Sequence, residues 1–323
     1  MNNKFLVGID VGGTTVKLAF LDEEGVIKEK WEVETNRKEQ GKYIMRDVSD
    51  SILQKVIQLG ISNEQLLAAG VGAPGFIDVQ NGVIIEAVNL GWKNYAIQEE
   101  LEQLLNIPVV VDNDANLAAG GEKWKGAGEG AENLLAVTLG TGVGGGIIAG
   151  GEIIHGDSGM AGEIGHIAAV KEQGAPCNCG KFGCLETVAS ATGIARLGLE
   201  AVQRKPEGYL KKILDESGTI SAKDVFDGAK NGDVVSISVV KESTDHLGFV
   251  LANLANALNP ETIVIGGGVS KAGSFLVDYI REAFNRFAIP KIAKDTTIRI
   301  AELENDAGVI GAAWLAKQKR TFL

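Results

Sequence analysis

The sequence predicts an α/β protein of two domains grown from one duplicated module, and three observations carry that prediction. At 323 residues the chain is long enough for two cores. A strand, a glycine turn and a second strand occur twice, at 5–21 and again at 134–149. A buried run at 108–111 ends in a polar triplet followed by a small-residue helix, the arrangement by which open α/β sheets gather ligand groups outside their strand ends.

The first copy opens the chain. Two β-rich runs, 5–9 and 15–21, flank Asp10-Val-Gly-Gly-Thr14. Gly12 and Gly13 let backbone N–H groups approach a ligand, and Asp10 is placed to hold a cation or its water shell, although a ligand-free hairpin has the same pattern. Ile44, Val48, Ile52, Val56 and Leu59 then share one face of a helix over 43–59, closed by Gly60. Residues 67–75 read as a short strand running into a Gly-Pro-Gly-type turn, either a surface turn or a ligand loop. The triplet Asp112-Asn113-Asp114 follows the 108–111 strand. A helix cap accounts for one of its three positions, leaving a functional carboxylate to be explained.

In the second copy, setting Asp10 against Thr138 aligns Val11-Gly-Gly-Thr14 with Leu139-Gly-Thr-Gly142. Two such hairpins facing each other across a cleft would grip a chain of phosphates from both sides. Neither copy is a Walker motif or a Gly-x-Gly-x-x-Gly turn opening a helix, which disfavours a dinucleotide oxidoreductase. Residues 189–203 and 224–258 read as largely helical, with His246 in a structural stripe. Thr262–Gly268 is a buried strand running into Gly266-Gly267-Gly268, suited to a flat ring or ribose lying on backbone, and 305–314 opens a small-residue helix.

All three cysteines, Cys177, Cys179 and Cys184, fall within eight residues, with His166 shortly upstream. That Cys3His set suits tetrahedral zinc better than it suits scattered core thiols or a redox pair. Glu163 and Glu186 bracket the cluster; a metal-bound histidine keeps one ring nitrogen for a polar partner, so these carboxylates suit a polyhydroxylated ligand or a supporting role beside the metal.

The net charge of −11 argues against a nucleic-acid partner. With every thiol assigned to metal no disulfide framework remains, which points to a reducing cytoplasmic setting; no signal peptide or membrane span is expected. The 43 glycines against 6 prolines point to turns and close backbone approaches.

With these pieces together, the chain resembles the ROK family of the actin/hexokinase-like superfamily, and within it the bacterial sugar kinases. The resemblance runs over almost the whole length: Asp10-Val-Gly-Gly-Thr14, Gly72-Ala-Pro-Gly75, Asn113-Asp-Ala-Asn116, Leu139-Gly-Thr-Gly142, Glu163-Ile-Gly-His166, the Cys177–Glu186 run, Gly266–Gly268 and Ala307-Gly-x-x-Gly-Ala312. It implies a two-domain, ribonuclease H-like duplicated fold with a ligand cleft, divided into 1–118 with 306–323, and 119–305. It also implies transfer of phosphate from MgATP to the 6-hydroxyl of a hexose, most directly glucose, with N-acetylmannosamine or mannose as alternatives. By the same resemblance Asp114 would be the general base, and Gly75, Asn113, Asp114, Glu163, His166 and Glu186 would bind sugar. Asp10 would serve Mg²⁺, while Gly12, Gly13, Thr14, Lys17, Gly140, Thr141 and Gly142 would hold phosphates. Gly266, Gly267 and Gly268 would take the adenosine, the zinc would be structural, and the protein would be a homo-oligomer, a dimer. Some family members are repressors carrying a DNA-binding domain ahead of the sugar-binding body. Here Asp10 begins the first loop almost at the N-terminus and no basic face is visible, while Asp114 and both loops disfavour a non-catalytic sugar sensor.

Overall fold

The computed structural model describes residues 4–320, which form two compact units. The first comprises the chain up to Gly130, Ile153–Ala161 and the part from Leu303 on; the second comprises Ala131–Glu152 and Gly162–Glu302.

In the first unit, β1 (Phe5–Val11), β2 (Thr15–Leu21) and β3 (Ile27–Glu34) form an antiparallel meander, followed by α1 (Ile44–Leu59) and β4 (Leu66–Ala73). Three short strands, β5 (Phe76–Asp78), β6 (Val83–Ala87) and β7 (Trp92–Tyr95), make a separate antiparallel sheet that sequence periodicity did not disclose. Then come α2 (Ile97–Leu105), β8 (Val109–Asn113) and α3 (Asp114–Lys125). The main sheet runs β3-β2-β1-β4-β8, with β1, β4 and β8 parallel. β1 and β4 are apolar nearly throughout because both faces are covered. On one face α1 buries Ile44, Val48, Ile52 and Val56, while Leu59, expected on that face, is exposed beside the Gly60 cap, which sits at φ 64°. On the other face lies the C-terminal helix (Ala307–Arg320): Val309 and Ala313 join Leu6 and Ala19 in one buried cluster.

In the second unit, β9 (Leu134–Leu139), β10 (Val143–Ala149) and β11 (Glu152–Ile153) lead into a long irregular stretch, then α4 (Glu186–Ala189), α5 (Ala191–Arg204) and α6 (Tyr209–Ser217). The expected helix over 224–258 is two, α7 (Ala222–Lys230) and α8 (Val234–Leu258). Gly232 at φ 83° breaks the run and Asp233 caps α8, accepting from the Ser236 N–H. β12 (Thr262–Gly266), α9 (Ser274–Phe287), α10 (Pro290–Asp295) and β13 (Thr297–Ile300) complete the unit. Its sheet runs β11-β10-β9-β12-β13, with β9 antiparallel to β10 and parallel to β12, and β12 parallel to β13, as β1 stands to β2 and β4, and β4 to β8, in the first.

The expected division after residue 118 falls inside α3, a single helix that stays with the first unit. Buried Glu122 is the reason: its carboxylate accepts the N–H of Ala127 at 2.8 Å and of Leu303 at 2.9 Å, tying the end of α3 to the returning C-terminal segment.

Candidate active site and metal centre

Parallel strands leave their carboxyl ends side by side, and in the first unit those ends carry the polar residues. Asp10 of β1 is level with Gly72 of β4, and Gly72 with Asp112 of β8. β8 extends two residues beyond the expected 111, so Asp112 and Asn113 are strand residues and Asp114 is the first residue of α3. Asp112 is fully buried; Asp114 is exposed. Asn113 caps α3, its Oδ1 accepting the Ala115 N–H at 2.9 Å, and donates its own amide to the Gly75 carbonyl at 3.2 Å. That carbonyl belongs to a glycine at φ 98°, a conformation costly to any other residue. Gly75, Asn113 and Asp114 are thereby brought together at one strand end.

Across the first hairpin, Asp10 pairs in register with Lys17, whose Nζ lies 4.0 Å from its carboxylate. Burial raises the Asp10 carboxyl above the usual carboxylate range, against the opposing pull of Lys17. The turn is pinned from outside: the Thr35 hydroxyl donates to the Gly12 carbonyl at 2.7 Å and the Thr35 N–H to Thr14 at 2.9 Å.

In the second unit two glycine loops follow adjacent parallel strands, Gly140-Thr141-Gly142 after β9 and Gly267-Gly268 after β12, with Gly266 level with Thr138. The first loop is held by α5: the Ala191 N–H donates to the Gly140 carbonyl at 2.8 Å and the Thr192 hydroxyl to Thr141 at 2.8 Å. Gly267, at φ 82°, lies so close to Leu139 that a Cβ would stand 2.6 Å from its carbonyl oxygen. Beside Gly268 opens a mainly apolar pocket of about 350 Å³, lined by Ala191, Phe226, Lys230, Val269 and Lys271 among others.

The four expected metal ligands converge. Ligand atoms of His166, Cys177, Cys179 and Cys184 all lie within 4.8 Å of one another. Cys177 Sγ is 3.5 Å from His166 Nδ1, and the sulfurs of Cys179 and Cys184 are 3.6 Å apart without a disulfide. These are close to the edges of about 3.8 Å that a tetrahedral zinc–sulfur site requires, so the donor set fits zinc. Gly180 and Gly183, at φ 86° and 72°, turn the chain around the cluster. Burial pushes the Cys177 thiol up to about 12 and the Cys184 thiol up as well, whereas the Lys181 N–H draws Cys179 down. With Nδ1 turned to the thiols, His166 keeps Nε2 for Glu163, 3.8 Å away. Glu186 spans two features: Oε1 accepts from Cys177 Sγ at 3.2 Å, and Oε2 from the Val143 N–H at 3.4 Å, just past the first glycine loop.

The sequence profile of the ROK family matches residues 6–319. The chain belongs to the ROK family. It is 53% identical to a glucokinase of Halalkalibacterium halodurans over 323 residues, covering 100% of this chain and 98% of that one. The ROK glucokinase of Streptomyces griseus, solved in complex with glucose and AMPPNP, is 35% identical with a TM-score of 0.76, covering 97% of this chain and 99% of that chain. The ROK hexokinase of Thermus thermophilus is 30% identical with a TM-score of 0.83, covering 99% and 100%. The fold is therefore the actin/hexokinase-like fold of these ROK kinases.

Within this ROK chain, sequence reading passed over one side chain at the strand ends. His155 Nε2 lies 2.7 Å from the buried Asp112 carboxylate, whose other oxygen accepts the Asn113 N–H at 2.7 Å and the Asn116 amide at 2.9 Å. Forty-three residues separate His155 from Asp112, and no local pattern links them. The pocket residues Phe226, Lys230 and Lys271 were equally invisible, since each sits in an ordinary helical or turn context. Among the described residues no helix is long and apolar enough to cross a membrane.

Proposed function

We propose that this ROK protein transfers the γ-phosphoryl group of ATP to the 6-hydroxyl of glucose. The observation that carries the reading is the exposed Asp114 carboxylate at the start of α3, beside an Asn113 whose amide is already oriented, in a chain 53% identical to a glucokinase. Phosphoryl transfer demands little covalent chemistry from a protein, only a placed base, aligned reactants and neutralised charge. Asp114 takes the hydroxyl proton, and Gly75, Asn113, Glu163, His166 and Glu186 position the sugar hydroxyls. The Gly12–Thr14 and Gly140–Gly142 turns offer N–H groups to the phosphates, with Lys17 as a nearby cation. The pocket beside Gly268 has the size and apolar character for an adenine ring. A divalent ion bound with ATP supplies charge neutralisation, and Asp10 is the carboxylate suited to hold it or its water shell. Zinc in the Cys3His set is structural, orienting His166 so that Nε2 is presented to ligand.

The test is an ATP-dependent coupled assay with glucose, mannose, fructose, N-acetylglucosamine and N-acetylmannosamine in parallel. Strongest turnover on glucose is expected, and a protein that binds glucose calorimetrically yet phosphorylates none of the five would sink the reading. Asp114→Asn should retain glucose binding and lose about 10²–10⁴-fold in kcat.

A further inference from the structure

We propose that His155 is a positioning residue for the phosphoryl transfer, holding through Asp112 the first turn of α3 that carries Asp114; this rests on the kinase reading above. Asp112 lies two residues before Asp114 and is 0% exposed. A buried carboxylate needs every lone pair occupied, and a partner lost from such a group is expensive. Its Oδ1 binds the next residue's N–H and the Asn116 amide one turn into α3, so this oxygen sets how the strand turns into the helix. Its Oδ2 has His155 at 2.7 Å. Facing a carboxylate, Nε2 carries the proton and donates. Without that donor the carboxylate is free to rotate toward solvent, and the Asn113 and Asn116 bonds that define the turn rotate with it.

His155 is itself anchored. It belongs to Ile153–Ala161, the short excursion of the chain that packs with the first unit, and its carbonyl accepts the Ala161 N–H at 3.0 Å, closing the excursion into a compact loop. At Gly159, φ 77°, a Cβ would stand 2.9 Å from the Ile77 carbonyl, so the loop lies directly on β5. The hydrogen bond from the imidazole to Asp112 thus joins this loop to the start of α3.

The experiment measures kcat and KM for His155→Ala and His155→Gln, each alone and on an Asp114→Asn background, with a thermal melt of every variant. His155→Ala should lower kcat about 10- to 100-fold, the scale of a slightly misplaced catalytic group, with the KM for ATP within about twofold. Gln, whose amide nitrogen reaches a similar point, should recover most of that loss. On the Asp114→Asn background the same change should cost less than about twofold, because a residue acting through Asp114 has nothing left to position. Equal losses on both backgrounds would report only lost folded protein and overturn the proposal, as would a His155→Ala enzyme with wild-type kcat. Wild-type protein inactive on every sugar would instead bring down the kinase reading itself.

Discussion

In the first unit the strand before the glycine turn ends Asp10-Val11, paired across the hairpin with Lys17 and Val16; in the second it ends Thr138-Leu139, paired with Gly144 and Val143. Both strands are third in a five-stranded sheet, antiparallel to one neighbour and parallel to the other. The backbone frame is repeated while the side chains at matching register are not. The first copy carries a half-buried carboxylate facing a lysine; the second carries a threonine and a glycine, and borrows its carboxylate, Glu186, from the Cys3His segment. The two hairpins therefore share a backbone frame and differ at one register position, and on the proposed reading the cation chemistry belongs to Asp10 alone.

That contrast can be broken at Asp10. Asp10→Asn should cut kcat about a hundredfold, the scale of a lost metal-holding carboxylate, whereas Thr138→Val at the matching position should stay within a fewfold. Stability should move the other way. Because burial raises the Asp10 pKa in the folded state, folding favours its protonated form, and stability is lost as pH rises from 3.8 through the folded value. At neutral pH the ionised group is a burden, so Asp10→Asn should melt no lower than wild type. An Asp10→Asn protein that stays fully active, or Thr138→Val suffering equally, would remove the division of labour.

The borrowed carboxylate depends on the metal segment, which metal analysis probes directly. Dialysed protein should hold one zinc per chain, and Cys184→Ser, replacing a buried ligand, should lose it and melt at least about 5 °C lower. A Cys184→Ser protein that holds no metal but melts and turns over normally would exclude a structural zinc. The smallest effects separate the two turns themselves. A Cβ on Gly12 would stand 2.8 Å from the Thr15 carbonyl, so Gly12→Ala should destabilise by about 1–3 kcal/mol. At the aligned Gly140 nothing lies within 4 Å; Gly140→Ala should melt within about 0.5 kcal/mol of wild type and show its effect as a several-fold rise in the KM for ATP. Equal melting of the two variants would mean the hairpins do not differ in backbone crowding.

The hairpins, the buried β8, the α1 stripe and the Cys3His set could all be read from residue order. Each is written in spacing: period 2 or 3.6 for strand and helix, glycine where the backbone must turn, thiols within reach of one ion. Three features could not be read so. The third sheet, β5-β6-β7, is built from strands of three to five residues, too short for periodicity to register. The tie between α3 and the returning C-terminal segment runs through Glu122 binding Leu303, 181 residues away. His155 acquires its role only when a loop folds back onto Asp112. Local chemistry and short-range spacing travel with the chain, whereas the pairing of a buried carboxylate with its distant donor exists only once long-range packing has removed water from around it.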